Sequence, residues 1–191
     1  MRKQILERAK GASAVSVHQP EWFDPDRENL TWETFGEASR DLTQQIVDSG
    51  WVPDLIIAVA RGGLIAAGAL GYAMGIKPLG SINVEFYTDI GQTLPEPMLL
   101  PPYLDSSNLA GKRVLVVDDV ADSGETLNLV CRILEHEDLN PNSPKIPVEV
   151  RSAVIYTKPT TTFHPDYSWK ETDKWINFCW SVQPVITTDG S

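Results

Sequence analysis

Apolar positions along the chain change period several times, and each change marks an element. Between residues 31 and 49 they recur at helical spacing, with Trp32, Phe35, Leu42 and Ile46 on one face. Thr31 is placed to cap that helix and Gly50 to stop it. Residues 54–60 (DLIIAVA) form a continuous apolar run, short enough for a strand buried on both faces. Arg61-Gly62-Gly63 breaks the run, and residues 64–74 read as a helix of small side chains able to pack closely on a sheet. Further strands are expected at 77–84, 112–119 and 148–157. A helix is expected at 125–137, where Leu127, Val130, Cys131 and Leu134 share a face. Residues 85–110 hold four prolines between 95 and 102 and show no clear period. They are expected to be a long functional loop.

Strands alternating with helices predict an α/β fold, a parallel twisted sheet with helices on both faces. The organisation read from the chain is an N-terminal extension (1–30), a core (31–157) and a tail (158–191). The extension reads as a short charged helix followed by a polar, Pro-containing segment. The tail carries Trp169, Trp175, Phe178 and Trp180. It reads as a small aromatic C-terminal hood appended to the core rather than as another β–α unit.

Composition narrows the class. The chain has 191 residues, of which 42% are hydrophobic, enough for one domain with a proper core. No apolar run approaches the ~18 residues of a membrane span. The N-terminal MRKQILERAKGASAV is basic but lacks an apolar stretch, so no signal peptide is expected. Cys131 and Cys179 lie far apart without CxxC spacing, which fits reduced thiols in a cytoplasmic protein. His18, His136 and His164 make no metal-ligand pair. A net charge of −10 argues against nucleic acid or an anionic membrane as partner. It leaves room for a small anion held by backbone N–H groups, one or two basic residues and a divalent cation.

The stretch RVLVVDDVADSGETLNLV, residues 113–130, carries the chemistry. An apolar strand runs into Asp118-Asp119, where ligands of open α/β sheets bind. The following loop, Ala121-Asp122-Ser123-Gly124-Glu125-Thr126, opens a helix whose free N–H groups suit a phosphate. Gly124 permits close approach, and Ser123 and Thr126 add hydroxyls. The two acids could face polyol hydroxyls or Mg²⁺. Asp122 followed by Glu125 also fits a capping box, which needs no ligand. Arg61-Gly62-Gly63 puts one guanidinium and several N–H donors at another strand end, again suited to an anion.

VLVVDDVADSGETL resembles the phosphoribosyl-pyrophosphate (PRPP) signature of type I phosphoribosyltransferases: an apolar strand, two acids, two apolar residues, then Asp, Ser or Thr, Gly, any residue and Thr. The likeness runs from about residue 31 to 181. It is nearest to the 6-oxopurine branch, the xanthine-guanine and hypoxanthine enzymes. It implies transfer of the phosphoribosyl group from PRPP to a purine base in salvage, with Mg²⁺ as cofactor. Loop 122–126 is implied to cradle the 5′-phosphate, Asp118 and Asp119 to face the ribose hydroxyls, and Asp119 to neighbour the metal. Arg61, Gly62 and Gly63 match the pyrophosphate loop, where the family often has a cis peptide, here Ala60–Arg61. Tyr87 matches the tyrosine that starts the closing loop, with Phe86 in place of the usual serine. Lys158 matches the lysine that donates to purine O6, Trp175 the ring that stacks on the base, and Ile176 the backbone at the purine edge. Asp122 matches the acid that handles the N7 proton. Ser181 stands where near relatives carry an acid beside a second Mg²⁺. Family members are usually dimers or tetramers. Other readings of the same scaffold are a regulator that senses PRPP or nucleotides, and a transferase for a different base such as a pyrimidine.

Overall fold

The computed structural model describes residues 20–89, 92–99, 111–136 and 149–186. Most of the N-terminal extension, the second half of the expected loop and the extreme C-terminus lie outside the described residues. A six-stranded sheet forms the centre. Its strands are β2 (Leu55–Ala60), β3 (Leu79–Asp89), β4 (Gln92–Leu99), β5 (Arg113–Ala121), β6 (Glu149–Thr157) and β7 (Tyr167–Glu171), in the order β4-β3-β2-β5-β6-β7. All pairings are parallel except β3 with β4. A separate parallel pair joins β1 (Glu28–Leu30) to β8 (Ile176–Phe178).

Side chains on the central strands alternate between two apolar layers, as a sheet covered on both faces requires. Ile56, Ala58, Leu115, Val117, Ala153 and Ile155 face helices α1 (Trp32–Asp48) and α2 (Gly62–Met74). Ile57, Val59, Val114, Val116 and Val154 face helix α3 (Glu125–His136), which contributes Leu127, Val130, Cys131 and Leu134. Burial pushes the Cys131 thiol up to about 12 and the Cys179 thiol up to about 11, so both free cysteines behave as apolar core.

Helix α1 starts where expected, with the Thr34 N–H donating to Thr31 Oγ1 at 3.2 Å. Its buried stripe is Phe35, Ala38, Ser39, Leu42, Thr43 and Ile46. Trp32 departs from the expected face: 56% of it is exposed, and its ring meets Phe35 and Trp180 at the rim. Helix α2 ends at Gly75, whose φ of +71° suits the left-handed cap.

Two parts of the sequence reading change. Residues 85–89 and 92–99 are not loop but the paired strands of a hairpin, with Val84 opposite Leu99 and Tyr87 opposite Thr93. Pro95 and Pro97 fit because β4 is the sheet edge, where half the backbone N–H groups need no partner. The tail also adds β7 to the central sheet, with Ala153 opposite Tyr167, and only β8 belongs to the hood. Residues 28–30 supply the hood's other strand. The aromatic rings of the tail pack together: Phe178 stacks on Trp180 at 4.9 Å, and Tyr156 meets Trp169 and Phe178 edge-on. Among the described residues no helix is long and apolar enough to cross a membrane.

Candidate active site

The chain leaves β2 toward β3 on one side and β5 toward β6 on the other, so the switch point of the sheet lies between β2 and β5. Ala58 pairs with Val117, and Ala121 with Thr157. The carboxyl ends of β2, β5 and β6 are therefore neighbours. They carry Arg61-Gly62-Gly63, Asp118 to Thr126, and Lys158 respectively.

The first two segments touch. The Ala60–Arg61 peptide is cis. Arg61 is exposed, takes the N-cap position of α2 without a capping side-chain bond, and has no ion-pair partner among the described residues. Gly62 lies against the Asp119 carboxylate so closely that a Cβ there would overlap it. A Cβ on Gly63 would overlap the Val117 carbonyl oxygen and come within 3.0 Å of the Asp118 Cα. Both glycines thus sit where helix α2 closely approaches strand β5, Gly62 against a side chain and Gly63 against backbone.

Asp118 and Asp119 keep part of their surface open, yet protein surrounds most of each carboxylate. Burial pushes Asp118 well above the usual carboxylate range, and the charge of Asp119 adds to the effect. Burial raises Asp119 as well. Backbone donors work the other way: the Asp119 N–H donates to Asp118 Oδ1 at 2.8 Å, and the Gly63 backbone also favours the charged form. Two carboxylates held at this cost would gain from a bound cation or hydroxyl donors. Among the described residues no group of three or more His, Cys, Asp or Glu forms a metal cage. The hard oxygens of this pair suit a Mg²⁺ that takes its remaining ligands from substrate and water.

Gly124 turns the loop after β5 with a φ of +83°. A Cβ there would come within 2.6 Å of Thr161 Oγ1 and 2.8 Å of Phe163 Cβ. The loop is bonded to the segment after β6 throughout. The Lys158 N–H donates to the Ala121 carbonyl at 3.0 Å, and Thr162 donates to the Ser123 carbonyl through its N–H at 3.0 Å and its hydroxyl at 3.1 Å. Ser123, not Asp122, caps α3: the Glu125 N–H donates to Ser123 Oγ at 3.3 Å. The capping box expected from Asp122 and Glu125 does not form. Asp122 is exposed, and its carboxylate has no partner among the described residues. Thr126 is half-buried at the helix start.

On the hood side, the Lys158 ammonium donates to the Lys174 carbonyl, beside Trp175. Trp175 is 73% exposed and has no ring partner among the described residues, so its indole face is open. Ile176 is buried and pairs with Glu28 in the hood. Tyr87 lies in β3 opposite Thr93, and its side chain lies outside the described residues. Ser181 is exposed, and its N–H donates to the Phe178 carbonyl at 2.9 Å. The contacts of Thr161, Thr162 and Phe163 with the phosphate-type loop had no signal in the sequence, because they depend on which strands become neighbours.

Two carboxylates, an arginine-glycine turn and a glycine-hinged helix N-terminus thus meet at one switch point of an α/β sheet. The sequence model of the phosphoribosyl transferase domain matches residues 28–186, and the chain belongs to that family of enzymes. It is 30% identical over 159 residues to a xanthine-guanine phosphoribosyltransferase of Gluconobacter oxydans, covering 82% of this chain and 86% of the relative. Among solved structures, a purine phosphoribosyltransferase from Pyrococcus horikoshii is 36% identical with a TM-score of 0.67, covering 85% of this chain and 99% of that one. A xanthine-guanine-hypoxanthine phosphoribosyltransferase of Helicobacter pylori is 25% identical with a TM-score of 0.66, covering 81% and 94%.

Proposed function

We propose that this enzyme transfers the 5-phosphoribosyl group of PRPP to N9 of a 6-oxopurine and releases pyrophosphate, a step of purine salvage. The observation that carries the reading is the packing of the Gly62 backbone on the Asp119 carboxylate. It makes one site of an anion loop and a pair of acids, as a sugar bearing both phosphate and pyrophosphate requires. The relatives named for purine substrates support the choice of base.

In this reading the N–H groups and hydroxyls of residues 122–126 hold the 5′-phosphate. Asp118 and Asp119 accept from the ribose hydroxyls. Arg61 and the Gly62 and Gly63 backbone hold the pyrophosphate. Asp119 with Asp118 would hold Mg²⁺, which when bound supplies charge neutralisation for the leaving pyrophosphate. The C1–oxygen bond breaks as the C1–N9 bond forms, and positive charge builds on the ribose ring as in glycoside cleavage. Asp122, exposed and not needed as a cap, accepts the N7 proton of the base. Trp175 stacks on the purine. The Lys158 ammonium has three donors, one used on the Lys174 carbonyl, and offers another to O6. A 6-amino group would meet donors only and be rejected.

Pyrophosphate release from PRPP and Mg²⁺, with hypoxanthine, guanine, xanthine, adenine, uracil and orotate supplied separately, tests this. Turnover with 6-oxopurines alone supports it. Turnover with uracil or orotate, or none with any base, overturns it.

A further inference from the structure

Glu28 lies outside every motif of the chain, yet it makes contacts on three sides. Its backbone N–H donates to the Trp175 carbonyl at 2.9 Å. Its carboxylate accepts from the Tyr156 hydroxyl at 3.2 Å and forms an ion pair with Lys170 Nζ at 2.8 Å, both on the same oxygen. Tyr156 and Lys170 are directly opposite each other on β6 and β7. Only 17% of the Glu28 side chain is exposed, and Tyr156 is fully buried. Burial and the Glu28 charge raise the Tyr156 hydroxyl, so it stays protonated and remains a donor. Tyr156 sits two residues before Lys158, and Glu28 pairs with Ile176, the residue after Trp175.

We infer that Glu28 is a positioning residue for the base: it clamps the hood segment that carries Trp175 to the end of β6 that carries Lys158. The inference rests on the purine reading above and names a residue that reading does not use. The hood has other ties to the core: the Thr172 N–H donates to the Thr157 carbonyl at 3.0 Å, and Ile176 and Phe178 pack in the apolar cluster of Tyr156. Glu28 adds the charged side-chain tie. Lys174 reaches the Pro25 carbonyl at 3.4 Å from an exposed position, and Arg27 reaches Asn177 within the hood itself. The Lys158 ammonium bonds the Lys174 carbonyl, a second link between the end of β6 and the segment that carries Trp175. The half-buried bond of Glu28 to Tyr156 and its ion pair with Lys170 tie the hood strand to both core strands. With that carboxylate removed, the distance between stacking ring and ammonium is held only by the backbone bonds of Thr172 and Lys174 and by apolar packing. A flat, rigid base loses more from this than PRPP, whose contacts all lie on β2, β5 and the loop after β5.

The test compares wild type, Glu28→Ala, Glu28→Gln and Tyr156→Phe in steady-state kinetics with each substrate varied, alongside hydrogen–deuterium exchange of the unliganded chain. Loss of a hydrogen bond to a charged group predicts that Glu28→Ala raises KM for the base about tenfold, with KM for PRPP changed less than about twofold. Glu28→Gln, which keeps an acceptor for Tyr156, recovers part of the loss. Exchange in peptides covering residues 172–178 accelerates in Glu28→Ala, while peptides of β5 keep their protection. Equal rises in both KM values, or unchanged exchange at 172–178, would overturn the clamp. Faster exchange there in a protein whose wild type turns over no 6-oxopurine would leave the clamp standing and sink the base assignment.

Discussion

The missing side chain of Gly62 is what lets the Asp119 carboxylate lie against the start of α2. Gly63, one residue on, meets backbone instead: the Val117 carbonyl and the Asp118 Cα. The two positions therefore separate function from stability. In Gly62→Ala the obstacle is the end of a side chain, which can swing away. That substitution is expected to weaken PRPP binding by a factor of ten or more, at about 1.4 kcal/mol per tenfold, with little change in Tm. In Gly63→Ala the strand itself must shift, at a cost of about 1–3 kcal/mol. In a chain of this size that lowers Tm by about 2–4 °C per kcal/mol. Isothermal titration with PRPP and thermal melts of both variants check the contrast.

Asp118 gives a prediction about pH. Its folded carboxyl lies well above the ordinary value of 3.8, chiefly through burial. A group raised on folding contributes its full stability only below the unfolded pKa, and that contribution is lost as pH rises through the folded value. Ionised Asp118 therefore destabilises the empty enzyme at neutral pH. Asp118→Asn is expected to melt higher than wild type at about pH 8, with the difference shrinking toward about pH 4. The same variant should bind PRPP more weakly. Melting curves across that range decide it, and a variant that melts lower than wild type at the alkaline end would contradict the sign.

How much of the fold is legible in the sequence depends on how local each signal is. The run of valines into Asp118-Asp119, the small-residue loop after it and the cap at Thr31 are all written within a few residues, and they formed where expected. Strand β4 has no strand signal of its own, because Pro95 and Pro97 argue against a strand unless it lies at an edge, and edge position is a property of the whole sheet. Strand β7, the polar five-residue YSWKE, has too short a pattern to separate it from loop. The three-residue strand β1 is stable only through β8, almost 150 residues later. In the site, Arg61, Asp118, Asp119 and Lys158 were visible as residue types at strand ends. The contact between Gly124 and Thr161, and the capping role of Ser123 in place of Asp122, were not, because they are set by tertiary contact.

That capping exchange leads to a prediction for Asp122. Since Ser123 holds the first turn of α3, Asp122 is not needed for the helix. Asp122→Asn is expected to leave Tm unchanged within experimental error and to lower kcat about 10²–10⁴-fold, the usual scale for loss of a general base. Ser123→Ala should do the reverse in stability, costing about 1 kcal/mol of helix capping. Steady-state kinetics and melting of the two variants side by side give the answer. A loss of stability in Asp122→Asn comparable to that in Ser123→Ala would return Asp122 to a capping role.

Lys158 should discriminate between substrates rather than between states of the protein. Its ammonium bonds the carbonyl of Lys174, the residue before Trp175. Lys158→Ala is expected to raise KM for a 6-oxopurine by about one to two orders of magnitude, since a buried acceptor would lose its charged donor. KM for PRPP should change little. Equal losses for both substrates would show that the side chain serves the end of β5 instead, to which its own backbone N–H is bonded.

Gly124 is where the phosphate side and the base side of the site meet. Its φ of +83° is unfavourable for any residue with a Cβ, and the added atom would press on Thr161 and Phe163, which follow Lys158 on the base side. Gly124→Ala must therefore either distort the turn that presents N–H groups to the 5′-phosphate or push the 161–163 segment outward. The Thr162 bonds to the Ser123 carbonyl join the two, so displacement of one is carried to the other. Gly124→Ala is expected to raise KM for PRPP and for the base together, unlike Gly62→Ala, which acts on PRPP, and Lys158→Ala, which acts on the base. Destabilisation of about 1–3 kcal/mol should accompany it, the sum of backbone strain and overpacking. Kinetics with each substrate varied separates the outcomes. A rise for PRPP alone would mean that the segment after β6 yields without moving Lys158, and that the two halves of the site are mechanically independent.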